Sequence, residues 1–470
     1  MTELPATAKI QRFFTLLRQA VAGSEQDYTT GSIRKAVFLL AIPMIMEMMM
    51  ESVFAVVDIF FVGKLGNAAV ATVGLTESVL SLVYSVAIGL SMAATALVAR
   101  RVGEKNFAEA AHAGMQTILF ALVLSVIISI TGLTSASSIL HLMGASDKMI
   151  ADNIAYTQIM FGGNVVIMLL FLINGIFRGA GDASIAMRSL WIGNICNIIL
   201  CPVLIYGIGP FPALGLKGAA VATTVGRGIG VIYQLYRLFI RKGLLSFYLY
   251  QLRPQKHLLE QIVRIGSTGT LQFLVSSASW IFLARLVASF HEAAMAGYQV
   301  AIRLLIFFLL PAWGMSNAAA TLTGQNLGAG KPERAEKSVW TVTIYTVVFM
   351  LAVSLFFFLF GEPVVDFMNS DVQARHYALQ ALHIMSLGYV FFGIEMVMVN
   401  AFNGAGDTTT PTIINLLGFW LFQIPLAWVL STWYIKEPKA IFIAIFISSF
   451  VTALLSYYFF RKGKWKTVKV

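Results

Sequence analysis

Residues 36 to 62 read AVFLLAIPMIMEMMMESVFAVVDIFFV, a run that is long and apolar enough to span a membrane. The run nevertheless carries three acidic residues, Glu47, Glu51 and Asp58. At about 100° per residue, Glu51 lies about 40° and Asp58 about 20° around the helix from Glu47, so the three carboxylates share one narrow stripe. An acidic side chain at the bilayer centre costs about 2.5–3.5 kcal/mol. We therefore expect this stripe to face protein or water, not lipid.

Composition is typical of a multi-pass membrane protein. The 470 residues are 58% hydrophobic and 12% charged, with a mean hydropathy of +0.80, whereas a soluble domain has about 25% charged residues. The two cysteines, Cys196 and Cys201, lie in one apolar segment and indicate neither a disulfide framework nor a zinc site. Residues 1–35 are polar and basic without the apolar core of a signal peptide, which predicts a cytoplasmic tail.

Twelve apolar runs reach the length of about 20 residues that a spanning helix needs. They cover residues 36–62, 69–99, 111–133, 150–177, 184–208, 215–240, 258–289, 293–323, 338–360, 376–402, 409–434 and 438–460. Most of the 33 lysine and arginine residues lie in the termini and in the links after even-numbered spans. The positive-inside rule then places both termini in the cytoplasm. The net charge of +11 therefore reflects topology, and we expect no nucleic-acid partner.

The second half of the chain repeats the first with a shift of 225 residues, so that residues 179–182 and 404–407 both read GAGD. Two units of six spans insert in the same orientation, which predicts a twofold axis along the membrane normal. The predicted fold class is all-α integral membrane, with twelve transmembrane helices in two pseudo-symmetric six-helix bundles. The predicted domains are a cytoplasmic tail (1–35), the first bundle (36–240), a cytoplasmic linker (241–257), the second bundle (258–460) and a cytoplasmic tail (461–470).

Polar residues that occur in only one half are candidates for function, because shared residues maintain the common fold. Glu47 and Glu51 match Gln272 and Ser276, and Asp58 matches a leucine. The remaining intramembrane polar residues of the first half also match apolar residues when the two halves are aligned. They are Glu77, Asn174, Asn194 and Asn197. We therefore expect the first bundle to bind the coupling ion.

Several carboxylates in a low-dielectric site cannot all stay ionised, so such a cluster can exchange a proton for a cation. Asparagine side chains add neutral oxygens, which suit a hard ion such as Na⁺. The alternative for each of these residues is a structural hydrogen bond between helices.

The second half has its own polar residues in the spans, Arg285, Arg303 and Glu395. Unpaired charges at depth are costly, so we expect Glu395 to pair with one of the arginines or to line a substrate cavity. The residues predicted for the substrate cavity or for the polar interior of the second bundle are Arg303, Glu395, Gln272 and Asn194. We predict no metal site beyond Na⁺ at Asp58, and no cofactor.

Two stretches resemble the signatures of multidrug and toxic compound extrusion (MATE) transporters. The first is AIPMIMEMMMESVFAVVDIFFVGKLGNAAVATVGL at 41–75. The second half agrees through AAMAGYQVAIRLLIFFLLPAWGMSNAAATLTGQNLGAGKPERAEKS at 293–338 and NAFNGAGDTTTPT at 400–412. The resemblance covers about residues 33 to 460. It implies two six-helix bundles around a V-shaped cavity, and export of amphipathic, often cationic drugs in exchange for Na⁺ or H⁺.

The resemblance also assigns roles to single residues. Asp58, in VVDIFFVG, matches the acidic cation-site residue of the first helix, and Asn174 and Asn197 match polar residues around that site in one branch. Thr223 matches a threonine of the sixth helix there. The same branch has an aspartate where this chain has Cys201.

This chain also differs from another branch of the family, which has a glutamate at the position of Ser276. The aspartate that the family has in the link between the tenth and eleventh helices is present as Asp407. From this sequence alone we infer that Glu47, Glu51 and Glu77 supply the missing carboxylates.

The function predicted is secondary active antiport by a monomer in the bacterial inner membrane, surrounded by lipid and acting on small molecules. A lipid-linked precursor flippase is the nearest alternative, although it favours a cationic cavity. An integral-membrane enzyme and a passive channel are alternatives of other classes. Against the enzyme, the spans carry no His-rich, Ser-Lys or paired-Asp catalytic motif.

Overall fold

The computed structural model describes residues 6–23, 26–240, 243–368 and 371–470, and the regular elements within them are helical. The helices are α1 (Ala6–Ala22), α2 (Ile33–Gly63), α3 (Asn67–Gly103), α4 (Phe107–Leu142), α5 (Asp147–Gly162), α6 (Asn164–Ala180), α7 (Ala183–Tyr206), α8 (Leu216–Phe239), α9 (Lys256–Ala288), α10 (Glu292–Gly328), α11 (Pro332–Met368), α12 (Val372–Leu387), α13 (Tyr389–Ala405), α14 (Thr409–Tyr434, with two π-helical segments) and α15 (Lys439–Lys462). Short 3₁₀ turns span Leu249–Leu252 and Lys464–Thr467. Parts of the predicted tail (1–5, 24–25) and linker (241–242) lie outside the described residues, and the domain boundaries stay a prediction.

Each of the twelve predicted spans corresponds to a helix or a helix pair. Within the described ranges, ten helical stretches are long and apolar enough to cross a membrane, and the pair α12–α13, bent by 53°, makes an eleventh. The twelfth is α8, which is 24 residues long but less apolar because it carries the buried polar residues Arg227 and Gln234. The helix α1 lies in the predicted tail, and its Phe13 packs edge-on against Phe38 of α2.

The internal repeat is visible in the backbone. The pair α5–α6 breaks at Gly163, and the pair α12–α13 breaks at Gly388, which is the equivalent position of the second half. Both GAGD runs end a helix with a left-handed glycine, Gly181 at φ 92° and Gly406 at φ 84°. Only glycine adopts this conformation without strain, which explains why both halves keep it.

The ends of α3 and α10, on the predicted cytoplasmic side, pack against each other through two equivalent glycines. A Cβ on Gly103 would overlap the backbone of Gln325, and a Cβ on Gly328 would overlap the backbone of Arg100. The two contacts interchange under the 225-residue shift, so the pseudo-twofold axis passes between them. The two bundles are therefore in direct backbone contact at this end.

The helix α2 belongs to both bundles. Leu40 and Met44, in its first half, are fully buried in a core cluster with Ala318 and Leu322 of α10. Farther along, α2 packs against α7 of the first bundle. The acidic stripe begins at Glu47, immediately after the segment that packs into the second bundle.

Candidate functional site

A cavity of about 540 Å³ lies between the two bundles. Its walls in the first bundle carry the three glutamates predicted from the sequence, namely Glu47, Glu51 and Glu77. The second bundle contributes aromatic and amide side chains, among them Phe273, Trp313, Asn317, Asn400 and Asn403. The cavity therefore has an acidic wall and an aromatic-amide wall.

The first cluster in the acidic wall is built around Glu47, which is 1% exposed. Its Oε1 accepts a hydrogen bond from Nδ2 of Asn174 at 3.0 Å and lies 3.6 Å from a guanidinium nitrogen of Arg178. The carbonyl oxygen of Asn174 accepts a hydrogen bond from Gln234 of α8. Oε2 of Glu47 has no hydrogen-bond partner within the described part of the chain. This cluster connects α2, α6 and α8.

The second cluster is built around Glu51. Its Oε1 accepts a hydrogen bond from Arg227 at 3.1 Å, and its Oε2 accepts one from Asn194 at 3.3 Å. Arg227 is 4% exposed, also donates to the hydroxyl of Tyr84 at 3.0 Å, and lies over the ring of Phe54. A buried charge is tolerated when it is paired and hydrogen-bonded in this way.

Asp58 is separate from both clusters. Its Oδ1 accepts a weak hydrogen bond from the thiol of the fully buried Cys201 at 3.8 Å. Asn197 donates instead to Thr223, across 3.0 Å. No hydrogen bond joins Asp58 to Asn174, Asn197 or Thr223 in the described chain.

The predicted single ion site is thus three separate groups, and Asp58 is separated from Glu47 by its distance along α2. The residues Glu47 and Asp58 share a stripe, but eleven residues at a rise of about 1.5 Å each place them about 16 Å apart along α2. A shared angular position around the helix therefore does not bring the side chains together.

Glu77 lies on α3 and is exposed where it lines the cavity. Within the described residues no basic side chain comes within ion-pair distance of it. Water in the cavity can therefore solvate its charge.

A second cavity of about 370 Å³ adjoins the first and lies within the second bundle. Glu395 and Gln272 both line it, as predicted. The expected ion pair of Glu395 with Arg285 or Arg303 is not present among the described contacts, because Glu395 is held instead by a hydrogen bond from Thr452 at 2.7 Å. Arg303 is exposed and lies outside the lining of both cavities. Asn194 is buried beside Glu51, in the first bundle.

Arg178 and Gln234 are site residues that were missed from the sequence. Arg178 directly follows the predicted span 150–177 and precedes GAGD, a position that indicates a cytoplasmic link and not a site residue. A usable signal was present, because Arg178 follows Asn174 by four residues and therefore shares its helix face. Under the internal repeat Arg178 matches Asn403, and both line the cavity.

Comparisons with known proteins agree with this architecture. The family model MatE matches residues 43–203 and 269–429, once in each half and together over more than half of the chain. The "Probable multidrug resistance protein NorM" of Thermotoga maritima is 28% identical over 445 residues, covering 92% of this chain and 93% of that protein. The "FAD transporter" of Shewanella oneidensis is 24% identical and covers 91% of this chain and 94% of its own.

A crystal structure of MATE in complex with MaL6 superimposes with a TM-score of 0.88 at 26% identity, over 93% of this chain and 97% of that one. The predicted fold class, two repeats with twelve transmembrane helices in all, is thereby confirmed. The chain therefore belongs to the MatE family of multi-pass membrane transporters and is not an enzyme.

Proposed function

We propose that this protein is a secondary active antiporter that exports amphipathic, cationic drugs or metabolites in exchange for H⁺. The observation that carries the proposal is the charge of the cavity walls. Four glutamates line the two cavities, whereas Arg178 is the one basic side chain among the described lining residues. A cleft with an excess of negative charge concentrates cations. The same excess argues against a flippase for a lipid-linked pyrophosphate.

The choice of H⁺ over Na⁺ rests on the surroundings of Asp58. Its hydrogen-bonding partner is the thiol of Cys201, and a soft sulfur ligand does not suit a hard cation that prefers oxygen. The amide nitrogen of Asn197 donates to Thr223, its amide oxygen has no hydrogen-bond partner in the described chain, and neither atom is hydrogen-bonded to Asp58. A carboxylate with a thiol neighbour can still bind a proton.

The clusters suggest how ion binding is linked to substrate release. Glu47, Glu51 and Asp58 connect α2 to other helices of the first bundle, and α2 also packs into the second bundle. Protonation of these carboxylates, with Glu77, Asn174 and Asn197 in the same bundle, weakens the contacts that hold α2 and opens the cavity outward. Moving one charge through 100 mV supplies about 2.3 kcal/mol, so one to two protons can drive substantial export.

We place the protein in the bacterial plasma membrane as a monomer with both termini in the cytoplasm, on the basis of its charge distribution and its bacterial relatives. An anionic nucleotide is a second candidate cargo, because one relative carries the name "FAD transporter". In its favour, Arg178 lines the cavity, and the rings of Phe273 and Trp313 stack at 6.0 Å on the opposite wall. The excess of glutamates favours the cation.

Transport in proteoliposomes tests the proposal. Wild-type protein should move tetraphenylphosphonium against its gradient when a pH gradient is imposed, and a Na⁺ gradient alone should not drive it. Asp58→Asn should abolish the uphill transport, while the control Glu260→Gln, at a solvent-exposed position of α9, should retain it. Full gradient-driven transport by Asp58→Asn would show that the proposal is wrong, and preferential FAD transport would favour the second cargo.

A further inference from the structure

Glu395 differs from the other buried glutamates of the cavity walls in having no cationic partner. Glu47 lies beside Arg178, and Glu51 is paired with Arg227. Glu395 is 5% exposed, and the one hydrogen bond it accepts within the described chain comes from the neutral hydroxyl of Thr452 on Oε2. Oε1 is therefore available to a cation from outside the protein.

The walls around Glu395 are aromatic. Trp280, Phe392 and Phe419 line the second cavity, and Phe273 and Trp313 line both cavities. The faces of such rings attract cations, and the attraction is strongest where water is excluded. A buried carboxylate inside an aromatic box suits a lipophilic organic cation better than a small hydrated ion.

Two further polar side chains in this cavity lack partners. Both the amide nitrogen and the amide oxygen of Asn403, which is 3% exposed, are without hydrogen bonds in the described chain, as is Oε1 of Gln272. Buried polar groups are rarely left unsatisfied. Asn403 lines both cavities, so it stands where a ligand passing between them would meet it.

We propose that the second cavity is the subsite for the cationic group of the cargo, with Glu395 as its charge partner and the aromatic rings as its walls. The proposal rests on the proposed function in taking the cargo to be an organic cation. The two bundles then have different roles. The acids of the first bundle bind the coupling ion, and Glu395 of the second bundle binds the cargo. The volume of about 370 Å³ is in the range of small-ligand pockets.

A purely structural role for Glu395 would be to join α13 to α15 through Thr452. Glu395→Gln separates the two roles, because the amide oxygen of glutamine still accepts the hydrogen bond from Thr452 while the charge is lost. Glu260→Gln, at an exposed position of α9 that lines neither cavity, is the matched variant for the loss of one glutamate charge. Circular dichroism and thermal unfolding establish that both variants are folded.

The measurement is equilibrium binding of tetraphenylphosphonium to purified protein, with the uncharged triphenylphosphine oxide as the control ligand. Glu395→Gln should raise the Kd for the cation about tenfold, because the variant loses the attraction between two opposite charges in a poorly hydrated cavity, and should leave the control ligand unaffected. Glu395→Asp should recover part of the affinity, and Glu260→Gln should bind like the wild type.

Three outcomes would overturn the subsite: an unchanged Kd in Glu395→Gln, an equal loss of affinity in Glu260→Gln, or no cation binding by the wild type. Wild-type binding without gradient-driven transport would refute the proposed antiport but leave the subsite standing. Transport by the wild type together with unchanged binding by Glu395→Gln would refute the subsite alone.

Discussion

The amide of Asn174 donates a hydrogen bond to Oε1 of Glu47 across 3.0 Å, and its own carbonyl oxygen accepts one from Gln234. The three side chains are buried, and they belong to α6, α2 and α8. Asn174 is therefore hydrogen-bonded to Glu47 and not to Asp58. Variants of Asn174 and Glu47 should consequently have non-additive effects on the free energy of unfolding.

Asn174→Ala should lower the free energy of unfolding by about 1–3 kcal/mol, because it leaves a buried carboxylate oxygen without its donor. The loss should shrink in a Glu47→Gln background and stay unchanged in an Asp58→Asn background, since only contacting residues show such non-additivity. Chemical unfolding in detergent of the wild type and of the two backgrounds, each with and without Asn174→Ala, provides the two double-mutant cycles. Equal losses in both backgrounds would contradict the assignment.

Cys201→Asp should convert the Asp58 group into a cation site. The thiol lies 3.8 Å from Oδ1 of Asp58, so an aspartate there would place two carboxylates side by side and supply hard oxygen ligands. We expect transport by this variant to become stimulated by Na⁺. Cys201→Asn, which has the same shape but no charge, is the control and should remain insensitive to Na⁺.

The sequence was sufficient to predict the spans, the repeat and the acidic stripe, because hydropathy, length and helical angle are local properties. It was not sufficient to predict the partners of the acids. Arg178 has the sequence position of a cytoplasmic charge but reaches Glu47, and Glu395 accepts a hydrogen bond from Thr452 although an arginine of the spans was its expected partner. These contacts depend on how far each helix extends past its neighbour, which no single helix encodes.

The amino-acid composition also does not predict how the N-terminal tail packs. Arg334 of α11 donates to the backbone oxygens of Tyr28, Thr30 and Gly31. The acceptors are backbone carbonyl groups, which every sequence provides and which composition therefore does not mark. A tail that is polar and basic by composition is therefore held to the second bundle.

The contact between Asp27 and Lys105 predicts a pH dependence for the attachment of this tail. Partial burial favours the neutral acid, but hydrogen bonds from Lys105 and Thr29 outweigh it and hold the pKa of Asp27 at about 2, below its ordinary value of 3.8. A lowered pKa in the folded state means that the contact contributes fully above pH 3.8 and is lost as the pH falls toward about 2.

Hydrogen–deuterium exchange of residues 26–31, corrected for the intrinsic effect of pH, measures the attachment. Exchange in the wild type should rise between pH 4 and 2, as the pKa of about 2 requires. In Asp27→Asn it should be raised at every pH and show no such transition. The same transition in both proteins would show that another group is responsible.

Gly328→Ala should open the end of the transporter where α3 meets α10. A methyl group there would overlap the backbone of Arg100, so the two helix ends must separate. Spin labels at Glu104 and Glu333, in a background with Cys196 and Cys201 replaced by serine, should report a longer and broader distance distribution in the variant. Gly228→Ala, at a helical position with open space around it, should leave the distances unchanged. If Gly328→Ala kept the wild-type distances and thermal stability, the close packing of this end would not be what holds the bundles together.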